Sequence, residues 1–286
     1  MSEFASESTA QHPRPATPAE LEPFYLPLDG PDSARFQATS STTGPWFADA
    51  QHVGPPSALL VRALERLPDG PAVQLTRITV EVLGPVPAGE VQVSAAVERP
   101  GRSIELVAAE MTAAGRPVLR ARGWRVAAGD TTAVAVGGTE TMPPPEQGTL
   151  QTSWSEGWLP GFIDAVEWRW VAGGPPGAGP GTAWLRQRVP LVAGEKPTSV
   201  QRLMVAADCA NGVGAPLDLR DWLFVNTELT VHLHRQPVGE WIGVDATTVV
   251  GPAGAGTVSA LLYDEDGHTA RGAQALIVRP RRPVVE

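Results

Sequence analysis

The chain has 286 residues, 42% of them hydrophobic and 19% charged, so a packed core is expected and a disordered polyelectrolyte is excluded. Its 31 acidic and 22 basic residues give a formal net charge of −9, which argues against nucleic acid and anionic membrane as partners. The 30 Gly and 29 Pro residues predict many turns. At roughly 150 residues per domain, the length predicts about two domains.

The first segment, residues 1–22, is rich in Ser, Thr, Pro and Glu and is predicted to be a flexible lead. It lacks the basic and apolar regions of a secretory signal, and no run of about 18 apolar residues follows that would span a membrane. The single cysteine, Cys209, cannot form an intrachain disulfide. Together these features predict a cytoplasmic protein in a reducing environment.

A first unit is predicted over residues 23–128. Its helix covers Ser57–Leu67, where apolar residues recur every three or four positions between Pro55-Pro56 and the breaker Pro68-Asp69-Gly70. Alternating or apolar runs between turn residues then predict strands at 73–83, 90–98, 103–113 and 117–127.

Residues 129–152 are predicted to be a linker, because they contain the run Met142-Pro143-Pro144-Pro145 and have little periodicity. The second unit, 153–286, has a predicted hairpin loop at 173–181 and a helix at Ser199–Asn211 with Ser199 as the N-cap. Its predicted strands are 164–172, 182–190, 223–234, 240–250, 256–263 and 270–278.

The two units share a sequence pattern. Residues 75–83 and 226–234 both contain Thr-x-apolar-Thr-Val-x-apolar, and similar turns and strands follow each copy. This match favours an internal duplication over chance. Each copy then contains one helix of about three turns that must bury its apolar stripe on an antiparallel sheet.

A helix wrapped by an antiparallel sheet is the hotdog arrangement. The sequence therefore predicts an α+β double hotdog, in which two helix-wrapped antiparallel sheets in one chain form a continuous sheet. Joining the sheets through their edge strands would remove two exposed edges.

Common catalytic and metal-binding motifs are absent from the sequence. His232 and His234 lie two apart on one strand face, but no third ligand is near in sequence, so hydrogen-bonded histidines are favoured over a metal site. Cys209, among alanines of the predicted second helix, is interpreted as a small buried residue rather than a nucleophile. No metal or cofactor is predicted.

Polar residues occur in the second unit where the first has none. Asp208 lies near the end of the second helix, Asn226 stands where the first copy has Leu75, and Gln274 interrupts an apolar strand near the counterpart of Arg122. Each has an ordinary alternative, since Asp208 could cap a loop and the two amides could be hydrogen-bonded strand residues. Their elements would nevertheless surround one pocket.

Several strings resemble acyl-CoA thioesterases of the double-hotdog type, related to acyl-CoA thioesterase II. The strings are 54–60, 226–235, 237–242 and Asp266-Gly267 followed by Gln274, and the resemblance spans nearly all of the chain after about residue 24. In that family an Asp, a Thr and a Gln of the second hotdog orient the attacking water.

The resemblance implies a catalytic role for Asp208 and Gln274, which match the family's Asp and Gln positions. Asn226 falls on the Thr position, which is a departure from the family pattern, and the adjacent Thr227 would lie on the opposite strand face. Thr227 and Gly54, the residue that precedes Pro55-Pro56, are supporting candidates.

The leading hypothesis is hydrolysis of an acyl-CoA or acyl-carrier-protein thioester by a water that Asp208 activates. The departure at Asn226 motivates a second hypothesis, a double-hotdog protein that binds an acyl or polyketide-like ligand without hydrolysing it. A third is an all-β interaction module. Exposed hotdog faces also suggest a homodimer.

Overall fold

The computed structural model describes residues 21–68, 73–154, 158–175 and 177–281, so most of the predicted lead lies outside the described residues. Helices and strands occur in the predicted order. The helices are α1 (Gly54–Glu65), α2 (Ser199–Ala207) and α3 (Ala210–Val213). The strands of the first half are β1 (Tyr25–Pro27), β2 (Arg35–Ala38), β3 (Val73–Val82), β4 (Glu90–Arg99), β5 (Ile104–Ala113) and β6 (Arg116–Ala127).

The second half continues the strand numbering. Its strands are β7 (Thr149–Leu150), β8 (Val166–Ala172), β9 (Gly181–Gln187), β10 (Trp222–Asn226), β11 (Glu228–Leu233), β12 (Trp241–Val250), β13 (Ala255–Asp264) and β14 (Gly267–Pro280). The three shortest, β1, β2 and β7, were not predicted from sequence, because two to four residues are too few to show a period.

All fourteen strands of the described residues belong to one sheet, in the order β1-β2-β4-β5-β6-β3-β11-β14-β13-β12-β9-β8-β7, with β10 paired to β14. Neighbouring strands pair antiparallel throughout this order. The predicted continuous antiparallel sheet is thus confirmed.

The two halves of the sheet meet at the repeated sequence pattern. Strand β3 pairs with β11, and Thr79 stands directly opposite Thr230. The Thr230 hydroxyl donates to the Thr79 hydroxyl at 3.1 Å, and these two residues occupy equivalent positions in the two copies of the pattern. The junction is therefore a near-symmetric pairing of one strand with its own repeat.

Helix α1 begins at Gly54, three residues before the predicted start. Pro55 and Pro56 lie inside its first turn, where an N–H would have no acceptor within the helix, so proline is tolerated. The helix packs against β4, β5, β6 and α2. Its apolar residues, including Leu59, Leu60 and Leu64, are fully buried.

Helix α2 is shorter than predicted, and its cap is one residue earlier. The Thr198 hydroxyl accepts from the Gln201 N–H at 3.2 Å and the Gln201 side chain accepts from the Thr198 N–H at 3.3 Å, which is a capping box. The helix ends at Ala207, and after Asp208 and Cys209 the chain starts the separate turn α3. The side chain of Asp208 therefore lies at a helix end rather than inside a helix.

The predicted strand 223–234 is broken at Thr227. Both parts pair with β14, but Asn226 faces Leu276 and Thr230 faces Ala273, so the register shifts between them. The Glu228 carboxylate accepts from the Ala275 N–H at 2.8 Å and fills the gap in the backbone ladder. This irregularity sets the direction of the Asn226 side chain.

The connecting segments agree in part with the predictions. Strands β8 and β9 pair around the loop 173–181, which confirms the predicted hairpin. Residues 140–143 of the predicted linker pack on the second half, since the Trp184 indole N–H donates to the Pro143 carbonyl at 2.7 Å. Among the described residues, none of the helices has the length and apolar character needed to cross a membrane.

Candidate functional site

Asp208 lies at the C-terminal end of α2, and its side chain is only 3% exposed. Its backbone N–H still donates to the Met204 carbonyl at 3.3 Å, as a last helical turn does. A carboxylate removed from water in this way is costly unless hydrogen-bond donors satisfy its oxygens. Two residues on different elements contact it, and Asn226 donates a hydrogen bond to it.

The first donor is Asn226 at the end of β10. Its Nδ2 donates to Asp208 Oδ1 at 2.9 Å, which fixes the amide orientation and leaves the Asn226 Oδ1 without a partner among the described residues. The register shift after Asn226 and the end of α2 together bring the two side chains into contact. The two residues, which the sequence placed on elements around one pocket, are therefore in direct contact in the wall of one cavity.

Gln274 reaches the same residue from β14, but at its backbone. Its Nε2 donates to the Asp208 carbonyl oxygen at 3.2 Å, while its Oε1 is buried and has no partner among the described residues. Gln274 is 2% exposed and stands opposite Val258 on β13. It therefore supports the position of Asp208 and presents an acceptor beside it.

The second residue in contact with the carboxylate is His52, which the sequence analysis did not select. His52 Nδ1 lies 2.9 Å from Asp208 Oδ2, and the imidazole is stacked on Phe162 with ring centroids 3.8 Å apart. His52 is 9% exposed and lies two residues before α1. A search for polar residues confined to the second half could not find it, because the first half supplies it.

The two supporting candidates occupy different positions. Gly54 lies behind His52, with its N–H 3.2 Å from His52 Nδ1, and a Cβ there would stand 2.8 Å from the Val205 carbonyl oxygen. Thr227 is exposed, and its hydroxyl donates to the Ala275 carbonyl at 3.3 Å. Gly54 thus allows α1 and α2 to approach closely, whereas Thr227 points away from Asp208.

An open cavity of about 250 Å³ adjoins these residues. Its polar wall contains His52, Asp208 and Asn226, together with Thr227 at the break between β10 and β11. Most of the remaining wall is apolar and includes Trp46, Phe47, Val53, Val82, Val86, Leu223, Val225 and Ile277. The rim carries Arg279, which is exposed and has no ion-pair partner among the described residues.

A second, much smaller cavity of about 20 Å³ shares Trp46, His52 and Asn211 with the first. Trp154, Trp158, Trp168 and Trp170 also line it, and Trp154 and Trp158 are stacked with centroids 4.9 Å apart. Trp184 packs elsewhere with Trp241 and Tyr263. His52 therefore separates an open apolar cavity from a nearly filled aromatic one.

Cys209 and the strand histidines contribute no separate reactive group. Cys209 is buried in the wall of the aromatic cavity, and burial, with a smaller effect of Asp208, raises the pKa of its thiol well above the ordinary value. His232 and His234 are exposed, and no group of three His, Cys, Asp or Glu in the described ranges is placed to hold a metal ion.

Several solved structures share this fold, each at low sequence identity. A hot dog fold protein of unknown function from Alicyclobacillus acidocaldarius is 16% identical, with a TM-score of 0.69 over 90% of this chain and 96% of its own. A thioesterase II candidate from Thermobifida fusca is 17% identical, with a TM-score of 0.65 over 89% and 95%. The acyl-CoA thioesterase II TesB2 of Mycobacterium marinum is 16% identical, with a TM-score of 0.59 over 88% and 94%.

Sequence profiles identify the family. The acyl-CoA thioesterase N-terminal domain matches residues 42–126, and the acyl-CoA thioesterase C-terminal domain matches residues 139–278. No curated protein matches the sequence. The two profiles cover well over half of the chain and include His52, Asp208, Asn226 and Gln274. The chain therefore belongs to the acyl-CoA thioesterase family and is a thioester hydrolase.

Proposed function

We propose that the chain hydrolyses an acyl thioester to a free acid and a thiol, with an attacking water that Asp208 activates. The observation that carries this proposal is the buried Asp208 carboxylate, held by Asn226 at 2.9 Å in the wall of an open apolar cavity. A buried, oriented carboxylate beside a substrate-sized cavity is the arrangement expected of a general base.

The chemistry requires little more than an activated water and a polarised carbonyl. A thioester carbonyl is electrophilic, and its thiolate leaving group has a conjugate acid with a pKa near roughly 8.5, judged by cysteine. General-base catalysis contributes about 10²–10⁴-fold. The unpaired acceptor Asn226 Oδ1 in the cavity wall supports a role for this amide in holding the water, and Gln274, which is outside the cavity lining, would act by fixing the Asp208 backbone.

A backbone N–H at the start of α1 is the candidate for polarising the thioester oxygen. Pro55 and Pro56 have no N–H, and the Gly54 N–H donates to His52 Nδ1 at 3.2 Å, so it would have to exchange this bond for one to the substrate oxygen. The positive end of the helix would favour a developing negative charge at this position.

The substrate proposed first is an acyl-CoA. The cavity wall suits an acyl group, and Arg279 at its rim offers a charge for the phosphates of coenzyme A in a chain whose net charge is −9. An acyl group on a carrier protein is the second substrate class to test, because carrier proteins present the same thioester on a longer arm.

We also propose that each half is one hotdog unit, with boundaries near residues 23–128 and 153–286 joined by 129–152. Two observations support this assignment. Helix α1 packs on β4, β5 and β6 while α2 packs on β9 and β12, and Thr79 pairs with Thr230 at the equivalent position of the repeat. The two units would share one active site rather than hold one each, because the buried polar residues around Asp208 come from both halves of the chain.

The test is thiol release from acyl-CoAs of graded chain length and from acyl-carrier proteins, measured with a thiol-trapping reagent. The wild type should release thiol from at least one acyl-CoA. Asp208→Asn should lower kcat by about 10²–10⁴-fold while the melting temperature stays near that of the wild type. Asp32→Asn, an exposed aspartate outside the cavity, is the matched control and should retain full activity.

Two results would contradict the proposal. If Asp208→Asn keeps full activity on every thioester that the wild type cleaves, Asp208 does not activate the water. If the wild type binds acyl-CoA in calorimetry but releases no thiol from any of these substrates, the chain binds an acyl ligand without hydrolysing it.

A further inference from the structure

The aromatic cavity lies between the open cavity and a third cavity of about 390 Å³. It shares Trp46, His52 and Asn211 with the open cavity. It shares a different set of residues with the third cavity, and these include Trp158 and Phe224. The aromatic cavity itself has a volume of only about 20 Å³. The side chains between the cavities therefore decide how far a group that enters from the open cavity can extend.

The charged end of an acyl-CoA belongs at the rim of the open cavity, where the exposed Arg279 can pair with a phosphate. Asp208 lines the open cavity, and the next residue, Cys209, lines the aromatic one. A thioester carbonyl beside Asp208 therefore lies where the two cavities meet. The acyl group enters first through the apolar open cavity, and its tail then points away from Arg279 into the aromatic cavity.

The wall of the aromatic cavity suits a hydrocarbon tail rather than the amide groups of the pantetheine arm. The Trp168 indole N–H donates to the Ile163 carbonyl at 3.1 Å. The Trp170 indole N–H donates to the Gln151 side chain at 2.8 Å. Because both indole N–H groups are already engaged, an amide placed beside them would lose its hydrogen bonds to water without gaining theirs, whereas a hydrocarbon tail gains from burial.

Contacts between aromatic rings hold this wall in place. Trp154 is stacked on Trp158 with centroids 4.9 Å apart and meets Trp168 edge-on at 5.4 Å. Next to the open cavity, the indole of Trp46 meets the ring of Phe224 edge-on at 4.7 Å. Stacked and edge-on pairs are favourable arrangements of aromatic rings. A longer acyl tail would therefore have to break these contacts, which costs more than displacing a flexible side chain.

The space inside the aromatic cavity limits the length of the acyl group. A cavity needs about 10–15 Å³ to hold one water molecule, so a volume of about 20 Å³ accepts about one or two non-hydrogen atoms. The carbonyl carbon stays beside Asp208, and the next carbon lies at the boundary formed by His52 and Asn211. The longest acyl group that fits without rearrangement then has about three or four carbons.

We propose that the chain acts on thioesters of short acyl groups, of about two to four carbons, and that Trp158 sets this limit by closing the far end of the acyl pocket. This inference rests on the proposed thioester hydrolysis and names its substrate class. Trp158 lines both the aromatic cavity and the third cavity of about 390 Å³. Its removal would join the two cavities and give a longer tail the space that the wild type denies it.

The first test is the dependence of the wild-type rate on acyl chain length. We expect kcat/KM for thiol release to be highest for propionyl-CoA or butyryl-CoA and at least about 10-fold lower for octanoyl-CoA, since even one methylene changes the fit to an apolar pocket by about 10-fold or more. An open apolar wall would give the opposite trend, because each added methylene strengthens binding to such a surface.

The decisive variant is Trp158→Ala, which changes a half-buried side chain. The ratio of kcat/KM for octanoyl-CoA to that for propionyl-CoA should rise by at least about 10-fold. Trp154→Ala enlarges the same cavity and replaces Trp158→Ala if the latter does not fold, as judged by the melting temperature. Trp222→Ala is the matched control, because it removes an exposed tryptophan of β10 outside the three linings and should leave the ratio unchanged.

The inference is overturned if the wild type cleaves octanoyl-CoA at least as efficiently as propionyl-CoA, or if the folded tryptophan variant keeps the wild-type ratio. The acyl tail would then lie in the open cavity. A wild type that releases no thiol overturns the proposed hydrolysis instead, and calorimetry with the thioethers S-propyl-CoA and S-octyl-CoA then decides the chain length without hydrolysis. Tighter binding of S-propyl-CoA supports the short acyl pocket, and tighter binding of S-octyl-CoA contradicts it.

Discussion

At the scale of single residues, Asp264 shows how this chain stabilises a buried charge outside the site. Its side chain is fully buried, and its carboxylate accepts from both terminal nitrogens of Arg235 and from the backbone N–H groups of Val238 and Asp266. Burial alone would raise the pKa of Asp264, but the hydrogen bonds from Arg235, Val238 and Asp266 outweigh it and lower the pKa below its ordinary value.

This arrangement predicts an acid-dependent loss of stability. An aspartate whose pKa is lower in the folded state stabilises the fold above its unfolded pKa of about 3.9, and the contribution is lost as the pH falls through the folded pKa. Asp264→Asn removes the negative charge that pairs with Arg235 and should cost about 3 kcal/mol in the free energy of unfolding at neutral pH. In denaturant titrations, the difference from the wild type should shrink below about pH 4.

Asp266→Asn is the matched control for this prediction. Its side chain is exposed, and the backbone N–H that it contributes to Asp264 is unchanged by the substitution. Equal stability of Asp264→Asn and Asp266→Asn at neutral pH would show that the buried ion pair contributes nothing to the folded state.

The residues of the site differ in how far the sequence could reveal them. Asp208, Asn226 and Gln274 could be selected from the sequence because each is polar where the repeat or the strand pattern is apolar. In the structure, Asn226 and Gln274 both donate hydrogen bonds to Asp208. His52 carried no such signal, because it precedes a helix start and polar residues are common there. Its contact with Asp208 depends on the packing of the first half against the second.

At the scale of elements, the polar face of α1 is an interface. Arg62 is buried and forms two hydrogen bonds with Glu195, at 2.7 and 2.6 Å. Glu65 accepts from the Thr198 hydroxyl at 2.9 Å and from the Gln201 side chain at 2.7 Å, at the N-terminus of α2. The periodicity of a single helix cannot distinguish a polar face in solvent from one that pairs with another element.

The close approach of α1 to α2 makes Gly54 sensitive to substitution. In Gly54→Ala, the added Cβ would stand 2.8 Å from the Val205 carbonyl oxygen and 3.2 Å from His52 Nδ1, so the helices must move apart. We expect a loss of about 1–3 kcal/mol in stability and lower activity, because the same movement displaces His52 from Asp208. Thermal unfolding and thiol release measure the two effects.

Gly89→Ala serves as the comparison for Gly54→Ala. A Cβ at Gly89 would meet no heavy atom within 4 Å, so this variant should match the wild type in both measurements. If Gly54→Ala unfolds at the same temperature as Gly89→Ala, the contact between α1 and α2 is not as tight as the structure indicates.

At the scale of the whole molecule, the halves are held together by more than the peptide that joins them. The pairing of β3 with β11 continues the sheet across the junction, and side chains of α1 contact Glu195 and the start of α2. The His52–Asp208 contact crosses the same boundary. The connecting segment carries two strongly exposed residues, Val134 at 74% and Val136 at 95%.

Proteolytic cleavage of that segment should therefore leave the two halves associated and catalytically active. A protease site inserted at Ala135 should be cleaved readily, because its neighbours are exposed. After cleavage the two fragments should elute together in size-exclusion chromatography and retain thiol release. Separation of the fragments without denaturant would instead indicate two independent units and would contradict a shared sheet and site.

The sequence alone predicted the type and order of the main elements, a repeated pattern in the two halves, and three polar residues that lie together in the structure. Apolar periodicity, turn residues and helix-terminating residues act over a few positions, so they can be recognised in the sequence. The meeting of His52 with Asp208 was decided only by the tertiary structure. These residues lie more than half the chain apart, and the pairing of β3 with β11 and the packing of α1 on α2 bring them into contact. No local sequence pattern predicts the contact between His52 and Asp208, because the free energy that holds the two halves together comes from surfaces that form only after both halves have folded.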